Sequence, residues 1–350
     1  MSYDEILFSV ADGVAVVTLN RPRALNALTL DKIRHLDPAL RVWADDSDVR
    51  LVIIEGTGER AFCAGGDVRA MAQAAGQGRF ADNETFFAEE YRLNRLIKTY
   101  PKPFVALIDG ITMGGGVGVS VHGRFRVATE RTQVAMPETG IGMLPDVGGT
   151  WILPRCPGEV GTWMALTGAR QGAADALAAG LATHYVPSER LPELKAALCA
   201  PGADPEAVLA RFHADPGPAS WPARQALIDR CFAGDDAETI LEALAAEGDP
   251  WAAEARATVL TKSPLSTRVT LRALREGATL DFDGCLRQEY RLASRLTRLP
   301  DFAEGVRAVL IDKDNQPRWS PATLDGVDPD AVEALFAPGP EPDLNLGPRL

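Results

Sequence analysis

Two segments of the sequence repeat the same order of elements, and this repeat constrains the fold more than any other feature. Residues 49–75 contain the strand-like VRLVIIEGTG, the glycine-rich AFCAGGD and the helix-like VRAMAQAA. Residues 102–123 contain KPFVALIDG, ITMGGG and VGVSVHG, which read as strand, turn and helix again. A recurring strand–turn–helix unit favours an α/β fold. The pattern leaves open whether the strands form one sheet or a coil of small sheets.

The composition changes near residue 200, where CAPGADPEAV and HADPGPASWPARQ are rich in proline and glycine, and helical segments dominate beyond them. A chain of 350 residues has a length typical of about two domains. We therefore predict an α/β core over residues 1–200 and a helical C-terminal region over 201–337. The segment APGPEPDLNLGPRL predicts a disordered tail over 338–350. Pro38 is expected to bend or break the helix predicted around it.

Charge and composition exclude several classes of function. The net charge of −12 argues against nucleic acid as a partner, because phosphate backbones require a basic stripe. No run of about 20 apolar residues predicts a membrane span, and the N-terminus lacks a signal sequence, so we expect a cytoplasmic protein. The five cysteines and four histidines are scattered, which predicts neither disulfides nor a metal site.

Two glycine-rich segments are candidates for ligand binding. CAGGD at 63–67 and GITMGGGVGVSVHG at 110–123 both follow strand-like text, and glycine lets the backbone turn sharply and approach a ligand closely. One N–H group from each turn could converge on a carbonyl oxygen as an oxyanion hole. The alternatives are a plain turn with Asp67 as a helix cap, and a dyad of Ser120 with His122. Signatures of a nucleophile elbow, a P-loop and a dinucleotide-binding loop are absent.

The segment MPETGIGMLPDVGG carries two acids, Glu138 and Asp146, in otherwise apolar and glycine-rich surroundings. Each acid follows a proline. Both could be turn residues that face water, or one could cap a helix. The third interpretation is a pair that performs acid–base chemistry, and burial in an apolar pocket would then raise both pKa values.

Taken together, NRPRALNALT, AFCAGGD, KPFVALIDGITMGGG and AMPETGIGMLPDVGGT resemble the crotonase, or enoyl-CoA hydratase/isomerase, superfamily over residues 5–170. Within it, EEYRLN, GVGVSVHGRFRVATE, PDVGGT and FAEGVRAVLIDKD resemble a subgroup of thioester hydrolases, over nearly the whole chain. The resemblance implies an α/β fold of the crotonase (ClpP-like) type, a spiral of ββα units followed by helices that help to close an acyl pocket. It also implies an acyl-CoA substrate, no cofactor beyond the coenzyme A of that substrate, and a homo-oligomer, either trimer or dimer.

The same resemblance assigns roles to individual residues. Hydratases of the superfamily use two glutamates, and the first of those positions is Gly118 in this sequence. The second position corresponds to Glu138. The implied sites are the N–H groups of Gly66 and Gly115 as an oxyanion hole and Glu138 and Asp146 as catalytic residues. The implied substrate-binding residues are Glu90, Gly115, Glu138 and Asp146, and the implied CoA site consists of Arg23, Ala24, Ala64 and Gly66.

The implied reaction is hydrolysis of 3-hydroxyisobutyryl-CoA to 3-hydroxyisobutyrate and CoA, a step of valine catabolism. Glu138 would attack the thioester or activate water. Asp146 would orient the acyl hydroxyl or water and assist proton transfer to the departing thiolate, and Glu90 would hold the 3-hydroxyl group. Two alternatives remain. One is an enoyl-CoA hydratase or dehydratase that uses a single glutamate, and the other is a non-catalytic binding protein of the same fold.

Overall fold

The computed structural model describes residues 4–339 and 343–348. The strands of this part of the chain are β1 (Ile6–Ala11), β2 (Val14–Leu19), β3 (Leu51–Gly56), β4 (Ala61–Cys63), β5 (Phe104–Ile108), β6 (Ile111–Met113), β7 (Phe125–Ala128), β8 (Gln133–Ala135) and β9 (His184–Tyr185). They form a six-stranded sheet in the order β1-β2-β3-β5-β7-β9 and a three-stranded sheet in the order β4-β6-β8. Strands β1 and β2 pair antiparallel, and the other pairs are parallel.

The helices of the described residues are α1 (Leu30–Asp45), α2 (Val68–Gly76), α3 (Phe80–Lys98), α4 (Gly115–Gly118), α5 (Gly149–Ile152), α6 (Val160–Thr167), α7 (Ala173–Ala178), α8 (Leu191–Cys199), α9 (Pro205–Phe212), α10 (Gln225–Phe232), α11 (Ala237–Ala246), α12 (Pro250–Leu260), α13 (Pro264–Gly277), α14 (Phe282–Leu296), α15 (Pro300–Val306) and α16 (Pro329–Phe336). Helix α1 continues through Pro38, so the predicted break is wrong. Pro38 lies on the exposed face of α1, where the backbone carbonyl that it leaves unpaired can meet water.

The internal repeat corresponds to turns of a spiral. Each repeat adds one strand to the large sheet and the next strand to the small sheet, as β3 and β4, β5 and β6, and β7 and β8 do in turn. Helices α2 and α4 follow the first two repeats, which confirms the predicted ββα organisation. The sequence interpretation treated AFCAGGD and ITMGGG as turns. Their first three residues are in fact the short strands β4 and β6, and only the glycines turn.

The two faces of the large sheet have different coverings. Helices α8 and α9 cover one face, where Leu194 and Leu209 pack with Leu51, Ile53 and Val105 of the strands. The other face shares one continuous apolar core with the C-terminal helices. Because α9 packs on the sheet, the boundary predicted at residue 200 is better placed after α9. No helix among the described residues has the length and apolar character needed to cross a membrane.

The C-terminal segment differs from the prediction of a disordered tail. Within residues 343–348, Leu344 and Leu346 are buried in the main core. Arg95 of α3 donates hydrogen bonds to the backbone carbonyls of Gly347 and Pro348, both at 3.1 Å. The prediction is therefore wrong for these six residues, because the two leucines of DLNLG supply apolar surface to bury. Residues 340–342 and 349–350 of the predicted tail lie outside the described residues.

Candidate active site

The first glycine turn, residues 65–67, is fixed by backbone hydrogen bonds to the segment before α1. The N–H of Leu28 donates to the carbonyl of Gly65 at 2.8 Å, and the N–H of Asp67 donates to the carbonyl of Leu28 at 2.9 Å. Gly65 has a φ of +112°, which a side chain would disfavour. Because C=O and N–H point in opposite directions in a trans peptide, the N–H of Gly66 faces away from Leu28. Within the described part of the chain, it donates no hydrogen bond.

The second glycine turn precedes α4. The carbonyl of Gly114 accepts hydrogen bonds from the N–H groups of Val117 (2.8 Å) and Gly118 (3.1 Å), so the N–H of Gly115 points away from α4. This N–H also donates to no partner among the residues described. A Cβ atom on Gly115 would stand 3.3 Å from the nitrogen of Gly66. The two turns therefore lie against each other, with two free N–H groups side by side.

Two glutamates border these turns. The Oε1 atom of Glu90, from α3, lies 2.5 Å from the position of a Cβ on Gly115, and Oε1 of Glu138 lies 3.0 Å from that of a Cβ on Gly114. Both side chains are buried. In the described structure, Oε1 of Glu90 and Oε2 of Glu138 have no hydrogen-bond partner. Buried polar atoms are normally paired, so the donors of a bound molecule would suit these two oxygens.

The third carboxyl group is that of Asp146, and helix α3, which carries Glu90, also contacts it. The hydroxyl of Tyr91 donates a hydrogen bond to Oδ2 of Asp146 at 2.6 Å, and both groups are buried. The next residue, Val147, has a φ of +52°, an uncommon conformation for a β-branched side chain. Asp146 therefore occupies a sharply bent segment whose position depends on contacts with other parts of the chain.

Burial governs the ionisation of all three acids. It raises the pKa of Asp146 to about 6, against the hydrogen bond from Tyr91, which lowers it. Burial and then the charge of Asp146 raise the pKa of Glu138 well above its usual range. The pKa of Glu90 rises in the same way, through burial and then the charges of Asp146 and Glu138. These directions agree with the expected effect of an apolar pocket.

The segment after Asp146 is held by Glu289 of α14, which the sequence interpretation missed. Its carboxylate accepts hydrogen bonds from the N–H of Gly148 (2.7 Å), the N–H of Thr150 (2.8 Å) and the hydroxyl of Thr150 (2.6 Å). Glu289 is fully buried, and burial raises its pKa to about 8. The sequence contained a signal for this residue. Glu289 lies one helical turn from both Cys285 and Leu292, which places it on the apolar face of its helix and indicates a buried acid.

The position where hydratases carry their other glutamate has no room for a side chain. A Cβ on Gly118 would stand 2.7 Å from Cβ of Val147 and 2.8 Å from Nδ2 of Asn94. Asn94 lies one turn after Glu90 in α3, and its amide is fully buried without a partner among the described residues. The bent segment at Val147 therefore fills the space that a larger residue at position 118 would need.

Ser120 and His122 hydrogen-bond to different backbone carbonyls and not to each other, so the dyad considered from the sequence is wrong. The hydroxyl of Ser120 donates to the backbone carbonyl of Gly116 at 2.7 Å. His122 instead places Nε2 2.7 Å from the backbone carbonyl of Val147. Burial lowers the pKa of His122 to about 3, so the ring is neutral and its Nε2–H is the donor. His122 thus supports the same bent segment as Glu289.

The residues predicted to bind CoA lie next to the first glycine turn. Arg23 and Ala24 are in a short 3-10 helix (Pro22–Ala24), and the N–H of Ala64 donates to the carbonyl of Leu25 at 3.0 Å. Arg23 is exposed at this edge. The roles of Arg23, Ala24 and Ala64 remain predictions. The described residues include no group of three or more His, Cys, Asp or Glu side chains arranged to hold a metal ion.

Comparisons with known proteins agree on one family. A sequence model described as enoyl-CoA hydratase/isomerase matches residues 14–336. The chain is 47% identical over 351 residues to the mitochondrial 3-hydroxyisobutyryl-CoA hydrolase of Danio rerio, covering 98% of this chain and 92% of that protein. Among solved structures, it is similar to a carnitinyl-CoA dehydratase from Mycobacterium thermoresistibile, with a TM-score of 0.93, 43% identity and coverage of 98% and 99%. An enoyl-CoA hydratase from Rhodobacter sphaeroides gives a TM-score of 0.90, 42% identity and coverage of 97% and 99%.

Proposed function

Because the chain belongs to the enoyl-CoA hydratase/isomerase family, we propose that it hydrolyses 3-hydroxyisobutyryl-CoA to 3-hydroxyisobutyrate and coenzyme A. The observation that carries this proposal is the juxtaposition of two free N–H groups with the buried acids Glu90, Glu138 and Asp146. The name of the Danio rerio relative supports the same activity. A place in valine catabolism follows from that substrate.

In the proposed reaction, the N–H groups of Gly66 and Gly115 bind the thioester carbonyl oxygen and stabilise the negative charge that develops on it. One such donor is typically worth about 2.7–4 kcal/mol in the transition state. Glu138 either attacks the carbonyl carbon to form a mixed anhydride that water then hydrolyses, or removes a proton from the attacking water. In both routes the C–S bond breaks, and Asp146 assists proton transfer to the departing thiolate. A raised pKa suits Glu138 as a base near neutral pH.

Glu90 is the residue that we propose for recognition of the acyl chain. Its Oε1 atom is buried, has no partner in the described structure and lies beside Gly115. A 3-hydroxyl group two carbons from the thioester carbonyl could donate a hydrogen bond to this oxygen. An acyl chain without the hydroxyl would leave Glu90 unpaired, which costs about 1–3 kcal/mol for a buried polar group.

For coenzyme A, we propose that Arg23 contacts the phosphates or the pantetheine arm, and that Ala24 and Ala64 shape the adenine site. No cofactor is proposed beyond the coenzyme A that the substrate carries. A homo-oligomer, either trimer or dimer, and a cytoplasmic location remain predictions from the sequence. The Danio rerio relative is named as a mitochondrial protein.

A hydratase or dehydratase activity is the second candidate, because the two similar solved structures are named as enzymes of those kinds. Such reactions require an acid and a base that act on the substrate carbons and water. The packing of Val147 and Asn94 against Gly118 leaves no space for a second glutamate at that position. It therefore excludes a two-glutamate mechanism, and the form of this candidate that uses Glu138 alone is separated from the hydrolase by assay.

Release of free thiol from acyl-CoA substrates separates the two candidates. We expect the purified protein to release CoA thiol from 3-hydroxyisobutyryl-CoA, measured with a thiol reagent, and to leave the double bond of crotonyl-CoA unchanged, measured by its ultraviolet absorbance. Loss of the crotonyl-CoA double bond without thiol release would instead support the hydratase. Turnover of neither substrate, with a salt-sensitive RNA complex, would favour a non-catalytic binding protein.

A further inference from the structure

A cavity next to the bent segment is not used by the proposed reaction. Its volume is about 450 Å³, within the range of small-molecule sites. The wall includes His122 and Trp151, of which His122 contacts the backbone of Val147. The cavity therefore borders the segment that carries Asp146 but is formed by different side chains from those of the candidate active site.

The cavity is lined by four cationic side chains: Lys98, Lys102, Arg124 and Arg126. Of the described residues that line it, none is Asp or Glu. An excess of this kind is unusual in a chain whose net charge is −12, because the rest of such a surface repels anions.

Three of the four cations also lack an acidic partner elsewhere in the described structure. Arg126 donates to the backbone carbonyls of Gly123 and Gly180, and Lys102 to those of Trp43 and Asp46. These bonds hold the side chains in place without neutralising their charge. Arg124 alone has an acidic partner, Glu206, and both of those side chains are exposed, so that pair is weak.

Lys98 is the cation most available to a ligand. Its Nζ atom lies 3.9 Å from the centre of the Trp151 ring and makes no hydrogen bond or ion pair with a described residue. Burial, followed by the charges of Arg126 and Arg155, lowers the pKa of Lys98. A half-buried ammonium group that is repelled by neighbouring cations gains from a nearby anion, which would offset the cost of its desolvation.

We propose that this cavity binds a compact multivalent anion, through phosphoryl or carboxylate groups held by Lys98 in the positive field of Arg126 and Arg124. The guanidinium of Arg126 is already committed to carbonyl groups, so it supplies charge rather than a bidentate contact. Lys98 supplies free N–H donors. The expected ligand is therefore a small polyanion recognised by charge, not an acyl-CoA recognised by its thioester.

Calorimetric titration at constant ionic strength tests this site, with pyrophosphate and citrate as separate probes of phosphoryl and carboxylate ligands. We expect saturable binding of at least one probe to the full-length protein. Lys98→Met keeps the apolar stem and should weaken that binding at least tenfold, Arg124→Gln should weaken it less, and Lys98→Arg should restore most of it. Lys313→Gln, which removes an exposed positive charge outside the cavity, should leave the affinity unchanged.

Two results would overturn the proposal. One is the absence of saturable binding of both probes to the wild-type protein. The other is binding that free coenzyme A displaces, that Arg23→Gln abolishes and that Lys98→Met leaves unchanged, since the anion would then occupy the proposed CoA site. Thermal unfolding of each variant shows whether it is folded, and Arg124→Gln provides an exposed second substitution if Lys98→Met unfolds.

Discussion

The two halves of the candidate active site are built in different ways. The glycine turns that present the N–H groups of Gly66 and Gly115 are set by neighbouring backbone hydrogen bonds and by glycine conformations. The segment of Asp146 is instead held by side chains from distant helices, Tyr91 of α3 and Glu289 of α14. Short motifs therefore define the first half, whereas the second half depends on the packing of the whole chain.

The largest expected effect comes from replacing the buried carboxyl groups of Glu138 and Asp146. Glu138→Gln should lower kcat about 10²- to 10⁴-fold, because the substitution removes the base or nucleophile. Asp146→Asn should act in the same direction. Steady-state thiol release measures both effects. Since burial raises the pKa of both acids, each neutral variant should unfold at the same temperature as the parent or higher at pH 7. Near-normal activity of either variant would contradict the assignment.

The first half can be tested without changing any ionisable group. Gly115→Ala introduces a Cβ that would stand 2.5 Å from Oε1 of Glu90 and 3.3 Å from the nitrogen of Gly66. A displacement of about 1 Å at such a site can cost roughly 10²-fold, so we expect a loss of that size in kcat/KM. Gly76→Ala is the matched control, because a Cβ at that helical position meets no atom within 4 Å. Equal activities of the two variants would show that the glycine turn is not part of the catalytic site.

Glu289→Gln tests whether a residue that does not contact the substrate in the proposed reaction positions Asp146. The amide keeps the shape of the side chain, but one carboxylate oxygen becomes an N–H donor that faces the N–H of Gly148 or Thr150. We expect a loss of about 1–3 kcal/mol in the free energy of unfolding, as for a buried group left without a partner. Turnover should fall by about tenfold in kcat, with little change in KM.

The control for this variant is Glu242→Gln, at an exposed helical position, which should change neither stability nor turnover. If Glu289→Gln lowered stability but left kcat unchanged, Glu289 would hold the fold together without positioning Asp146.

The sequence predicted the strand–turn–helix repeat and the glycine turns because both depend on local patterns, namely β-branched runs and consecutive glycines. The short second strand of each unit was not predicted from these patterns, and the ββα spiral was implied only by the resemblance to the family. It also indicated Glu90, Glu138 and Asp146, through motifs within a few residues of each. It could not predict that Tyr91 meets Asp146, since those residues are 55 positions apart and only the packing of α3 joins them. The proline-rich stretch before DLNLG likewise led to the prediction of disorder, although the core buries the two leucines of that segment.

Tyr91→Phe should have the smallest effect on maximal rate and the clearest effect on pH dependence. The hydroxyl of Tyr91 stabilises the ionised form of Asp146, whose pKa is about 6 in the presence of that bond. Without it, the pKa of Asp146 rises, so the acidic limb of the pH–rate profile of kcat/KM should move to higher pH. Above this limb the variant should retain most of its turnover, because Asp146 and Glu138 are both present. Tyr185→Phe, which removes the hydroxyl of a half-buried tyrosine on the edge strand β9, should leave the profile unchanged. An unshifted acidic limb in Tyr91→Phe would mean that a group other than Asp146 controls the rate. The hydrogen bond from Tyr91 to Asp146 would then have no part in catalysis.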